Sequence, residues 1–165
     1  MPLRPLTLAW AFGLAAAGAA QAQDDLSFDP AATVACLAAG ADVGVCAGLS
    51  ASLCMDSPSG YTTVGMGWCL GAELDYWDGR LNAAYQTARD QLQKNDDEYW
   101  VEGTPKQADS LRDMQRAWIT FRDARCTFER SFWSNGTGGG PAQLQCLMTE
   151  TAQQAVYIEA NSTWE

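Results

Sequence analysis

The chain contains no histidine. That removes Ser-His-Asp and Cys-His catalysis, histidine metal sites and the usual proton shuttle at neutral pH. Carboxylate and cysteine chemistry remain. Twenty Asp and Glu stand against ten Lys and Arg, a formal net charge of −10 over 165 residues. Two carboxylates could cut a glycosidic bond, one as general acid and the other as nucleophile or base. Such a pair needs one acid in an apolar setting that retains its proton. Asp75, Asp78 and Asp123 are instead expected close to arginines, which favour the charged form. Glu73 is the least excluded candidate, although a lone helical carboxylate is far more often paired or solvated than catalytic. The expectation is a protein that is not an enzyme, with no catalytic residue, metal ligand or cofactor.

Cysteine usage points to structure rather than reactivity. Cys36, Cys46, Cys54, Cys69, Cys126 and Cys146 are even in number, and no pair has the Cys-x-x-Cys spacing of a redox motif, zinc knuckle or haem attachment site. In a small exported domain such a set reads as a disulfide framework. Cys126 and Cys146 lie equidistant from Gly136 within the loop Ser134-Asn135-Gly136-Thr137-Gly138-Gly139-Gly140, as facing positions on antiparallel helices would. Cys36 and Cys46 flank a short break at Gly40-Ala41-Asp42, which leaves Cys54 with Cys69 across Asp56-Ser57-Pro58-Ser59-Gly60.

The elements that must hold these residues are helical. The run Leu70, Leu74, Trp77, Leu81, Ala84, Ala88, Leu92 advances by threes and fours, so one face of a helix carries all of it and no strand could. A second helix is expected to open at Thr104-Pro105-Lys106-Gln107, with Thr104 as cap, Pro105 in the first turn and Gln107 completing a capping box. Its apolar stripe would be Leu111, Met114, Trp118, Phe121, Arg125, Phe128 and Phe132, with the Arg125 charge directed to solvent. A third begins near Pro141 and continues through Leu144, Leu147 or Met148, Thr151, Ala155 and Ile158. The stretch Pro30 to Met55 reads as two short helices. The fold class is all-α: a small disulfide-stapled helical bundle with two long antiparallel helices and a third C-terminal helix.

Ahead of these elements, Arg4 precedes an apolar Ala/Leu-rich run that closes on Ala20-Gln21-Ala22, the small residues a signal peptidase requires. Residues 1–22 are therefore expected to be a signal peptide cleaved near Ala22, residues 23–62 a region of short cysteine-bearing helices, and residues 63–165 the main helical domain. The run is too short for a convincing membrane span, and no cysteine at the cleavage point offers a lipid anchor. The mature protein is expected in the periplasm or secreted. Its acidity disfavours nucleic acid and anionic membrane surfaces and favours a basic protein as partner.

The ordered set Glu73, Trp77-Asp78-x-x-Leu81-Asn82-x-x-Tyr85, Gln115-x-x-Trp118-x-x-Phe121-Arg122-Asp123-x-x-Cys126, Cys146 and Thr151 resembles the LprI-like lysozyme-inhibitor domain over roughly Cys69 to Ile158. The resemblance implies a protein that binds and blocks a lysozyme. One departure is plain: family members usually carry Thr-x-x-Arg after the last cysteine, whereas Thr151 is followed by Gln154, so an ion pair there is absent or replaced by an amide contact.

Read physically, an antiparallel hairpin turning near residue 98 places Glu73, Asp75, Asp78, Asn82, Gln115, Arg122 and Asp123 in a polar layer that fixes helix register, with Asp75 and Asp78 bracketing Arg122 and Asn82 facing Gln115. The candidate partner contact is Asp96, Asp97, Glu98, Tyr99 and Trp100, three acids followed by two aromatics between the long helices. The glycine-rich loop near Gly138 is a second possible surface. Inhibition of a cationic lysozyme is the leading reading; a periplasmic module that binds or supports another envelope component is the alternative, and a weak carboxylate glycosidase the third.

Overall fold

The computed structural model describes residues 26–161; the segment read as a signal peptide lies outside the described residues. Six helices follow one another: α1 (Ala31–Ala38), α2 (Val43–Cys46), α3 (Leu49–Met55), α4 (Thr63–Tyr99), α5 (Gln107–Ser131) and α6 (Gly139–Asn161). The described residues contain no strand. The stretch Pro30 to Met55 holds three short helices rather than two, because Gly48 takes a left-handed φ of 98° and breaks the chain between α2 and α3. An L side chain is strained in that conformation, and a Cβ there would press on Met148 Cε at 3.1 Å.

The long helices α4, α5 and α6 run alternately up and down, so α4 and α6 are parallel and form the main interface of the molecule. Their meeting faces are rich in small residues: Ala84 and Ala88 on α4 face the side that carries Ala152 and Ala155 on α6, with Leu70, Trp77, Leu81, Met148 and Ile158 filling the core between them. The α4 stripe read from the sequence is the buried one, and the α6 stripe follows Met148, Thr151, Ala155 and Ile158. Thr62 caps α4, its hydroxyl accepting the Gly65 N–H at 3.0 Å.

Three disulfides join Cys36 to Cys46, Cys54 to Cys69 and Cys126 to Cys146. They bolt α1 to α2, α3 to α4 and α5 to α6, each contributing about 2–4 kcal/mol by restricting the unfolded chain.

Two readings of α5 are corrected. Leu111, Met114 and Trp118 are half-buried and pack against the core as the stripe implies, but Phe121, Phe128 and Phe132 are 57%, 62% and 72% exposed, so its C-terminal half forms an external aromatic ridge on which Phe128 and Phe132 meet edge to face. Only Ala108 and Cys126 of α5 are buried outright. The capping box is also absent. The helix starts at Gln107 after Lys106, Thr104 turns its hydroxyl back to the Val101 carbonyl at 2.7 Å, and Pro105 precedes the first turn. The N-terminal amides of α5 are satisfied from α4 instead.

Candidate functional site

Two internal carboxylates organise the molecule. Glu73 is fully buried and accepts four hydrogen bonds. Its Oε1 receives the Thr33 hydroxyl at 2.9 Å, the Gly48 N–H at 2.8 Å and the Trp77 indole N–H at 3.2 Å, while Oε2 receives the Ala51 N–H at 2.6 Å. Gly48 and Ala51 carry two of the amide groups that the start of α3 leaves free, so the Glu73 carboxylate caps α3 from across the core. Thr33 and Ser50 complete the node, each side-chain oxygen accepting the other's backbone N–H at 3.2 and 3.1 Å. A carboxylate enclosed by donors on every side has no route to a sugar ring, which removes Glu73 as a general acid. Thr33 and Ser50 were not singled out from the sequence; the available signal was one polar residue in an Ala-rich helix, sharing a face with Cys36 three positions on.

At the opposite end, Asp96 Oδ1 and Oδ2 accept the N–H groups of Gln107 and Ala108 at 2.8 and 2.9 Å. This buried side chain is the cap of α5. The candidate contact segment therefore divides. Asp96 faces inward, Asp97, Glu98 and Tyr99 lie exposed on the last turn of α4 rather than in a loop, and Trp100 begins the connection with its indole N–H donating to the Thr104 carbonyl at 2.9 Å.

Between these ends the expected polar layer resolves into a row joining α5 to α6. Gln154 donates to Gln115 Oε1 at 2.9 Å, so an amide contact occupies the place of the missing arginine. Arg122 donates to the Thr151 hydroxyl at 3.3 Å and to Asp123, lies over the Trp118 ring at 4.9 Å, and reaches Asp78 only at 3.8 Å. Arg125 pairs with the buried Glu150 of α6 and with Glu129 at 3.5 Å, rather than simply pointing to solvent. Asp75 and Asn82 are exposed on α4 and take no part in this row. Burial raises Asp78 above the ordinary carboxylate value; the Arg122 charge opposes that shift and the Asp75 charge adds to it. On the other side of α4, Arg80 grips Glu159 with two hydrogen bonds at 2.6 and 2.7 Å, which pushes its own pKa up.

An apolar cleft of about 480 Å³ opens where Ala88, Leu92, Leu111, Met114, Tyr157 and Ile158 meet. None of the motif carboxylates lines it.

The arrangement thus spends its buried polar groups on holding helices together and leaves its outer faces for contact. The family model of the lysozyme inhibitor LprI matches residues 54–157. The chain belongs to the LprI family. The match begins at Cys54, so α1, α2 and most of α3 precede it, yet Glu73 within the match caps α3 and bonds α1. The chain is also 29% identical over 166 residues to a 17.7 kDa uncharacterized protein in the puhA 5′ region of Rhodobacter capsulatus, the alignment covering 97% of each chain. No solved structure matches it. Among the described residues no helix is long and apolar enough to cross a membrane.

Proposed function

We propose that this protein is an exported inhibitor that binds a cationic lysozyme and blocks its access to peptidoglycan, acting by binding and not by turnover. The match to the lysozyme-inhibitor family over residues 54–157 carries the reading. Three further features support it. A formal charge of −10 accelerates encounter with a basic enzyme. Three disulfides and a parallel α4–α6 core give a body that does not need to order itself on binding, which lowers the entropic cost of association. The apolar run ending at Ala20-Gln21-Ala22 supplies the export signal that a lysozyme-facing protein needs.

The test is the clearing of a peptidoglycan suspension by a cationic lysozyme with and without the purified, oxidised protein. Slower clearing at micromolar inhibitor supports the function. Unchanged clearing across a range of salt concentrations removes it, and release of muropeptides by the protein alone indicates a hydrolase instead.

A further inference from the structure

Exposure and charge single out one face of α4. Val64, Trp68, Gly71, Asp75, Asp78 and Asn82 follow one another at steps of three and four and so share one side of the helix, over about 27 Å. Every one of them is exposed or half-buried. At its upper end Val64 is 68% exposed and Trp68 42%, next to Tyr61 at 75%. A Cβ added at Gly71 would meet no atom within 4 Å. Glycine inside a helix is less favourable than alanine, and packing within this chain gives no reason for it at that position. The space lies between Trp68 and Asp75, open to whatever approaches from outside.

Along this part of the chain the charge is one-sided: no Lys or Arg occurs between Arg4 and Arg80, while Asp56 and Asp75 are exposed on or beside this end of the helix. Of the arginines that α5 brings to the same end, Arg122 is paired with Asp123, Arg125 with Glu150 and Glu129, and the Arg130 guanidinium lies beside Gly139 at the start of α6. Asp78 is only loosely met by Arg122, which is held closer by Asp123. The other exposed aromatic surfaces differ. At the lower tip, Lys94 and Lys106 accompany Asp97, Glu98 and Glu102, and Lys106 sits over the Trp100 ring at 5.0 Å. On the α5 ridge, Arg125 lies between Phe121 and Phe128. Apolar anchors with an unbalanced acidic surround occur together on upper α4, and they fit a partner whose contact surface is basic.

We infer that the outward face of α4 from Val64 to Asn82, with Tyr61 at its edge, is where the cationic lysozyme docks. Tyr61 and Trp68 are the apolar anchors, Asp75 and Asp78 meet basic side chains, and the gap at Gly71 admits a side chain of the partner. This rests on the function proposed above and adds the surface that performs it.

The experiment measures binding of the oxidised protein to immobilised cationic lysozyme, with melting temperature and circular dichroism as folding controls. Gly71→Arg and Asp75→Lys are each expected to weaken binding by about tenfold or more while melting as the parent does. Trp68→Ala is expected to weaken it as well. Asp97→Ser with Glu98→Ser, and Phe121→Ala with Phe128→Ala, are expected to stay within about twofold, since peripheral substitutions at interfaces cost little. Because an added side chain at Gly71 enters open space, Gly71→Arg keeps the test decisive even if Trp68→Ala disturbs the fold. Parental affinity in Gly71→Arg and Asp75→Lys overturns the docking face, and so does a loss confined to the tip or to the α5 ridge. Absence of binding by the parent protein overturns the inhibitor function itself and this surface with it.

Discussion

Glu73 is the residue on which most local structure converges, because one carboxylate satisfies two amides at the start of α3, a threonine hydroxyl and an indole N–H. Removing it strands several buried donors at once. Glu73→Ala is expected to cost about 3 kcal/mol or more in urea unfolding; an unshifted midpoint would contradict the node. Asp78 behaves in the opposite sense. Its folded-state pKa is raised above 3.8 mainly by burial, so the folded protein holds that proton more tightly than the unfolded chain. The associated stability is fully present below the ordinary carboxylate value and is lost as pH rises through the raised one. Asp78→Asn should therefore melt above the parent at neutral pH, and the difference should close as pH falls below about 4. A gap that stays constant with pH would show that the carboxylate's desolvation is not its source.

At the scale of elements, the long helices were legible from three-and-four spacing and the sulfur pairs from the breaks they flank, while the exposure of the C-terminal half of α5 was not. Periodicity states which residues share a face; it does not state which face is covered. The α5 stripe has the same period as that of α4, but α4 and α6 meet through Ala84, Ala88, Ala152 and Ala155 and fill the core between themselves. The bulky phenylalanines of α5 are left outside, and the helix is held by the packing of Leu111, Met114 and Trp118 against that core together with the Asp96 cap, the Cys126 bridge and the Gln115, Arg122 and Arg125 contacts. The same limit explains the division of the expected polar layer. Asp78 and Arg122 do approach across the hairpin, but Glu73 points to the N-terminal helices, whose position no local pattern encodes. The absent capping box has a comparable cause: a carboxylate from α4 reached the free amides of α5 before Thr104 was needed. A consequence is that Phe121→Ser with Phe128→Ser should change thermal stability by no more than about 0.5 kcal/mol per site, the range of surface substitutions. Losses of about 3 kcal/mol per site, typical of an emptied core position, would return that stripe to the interior.

For the molecule as a whole, the acidic surface makes encounter with a basic enzyme sensitive to salt. At 0.1 M ionic strength charges are screened beyond about 10 Å, so the association rate should fall steeply from low to physiological salt while dissociation changes little. Stopped-flow or surface-binding kinetics would measure this, and a rate indifferent to salt would remove steering from the account. The three sulfur bridges have a consequence for biogenesis. The first cysteine is joined to the second, the third to the fourth and the fifth to the sixth, at separations of 10, 15 and 20 residues. A polypeptide that emerges amino end first therefore presents every correct pair before the following pair arrives, and thiol oxidation in order of appearance yields the final connectivity. Reduced, denatured full-length protein lacks that order, because all six thiols are present at once and Cys46 lies closer in sequence to Cys54 than to its own partner Cys36; its recovery in a mild oxidant is therefore expected to be slow and to be accelerated by a disulfide isomerase, whereas recovery indifferent to the isomerase would contradict this account.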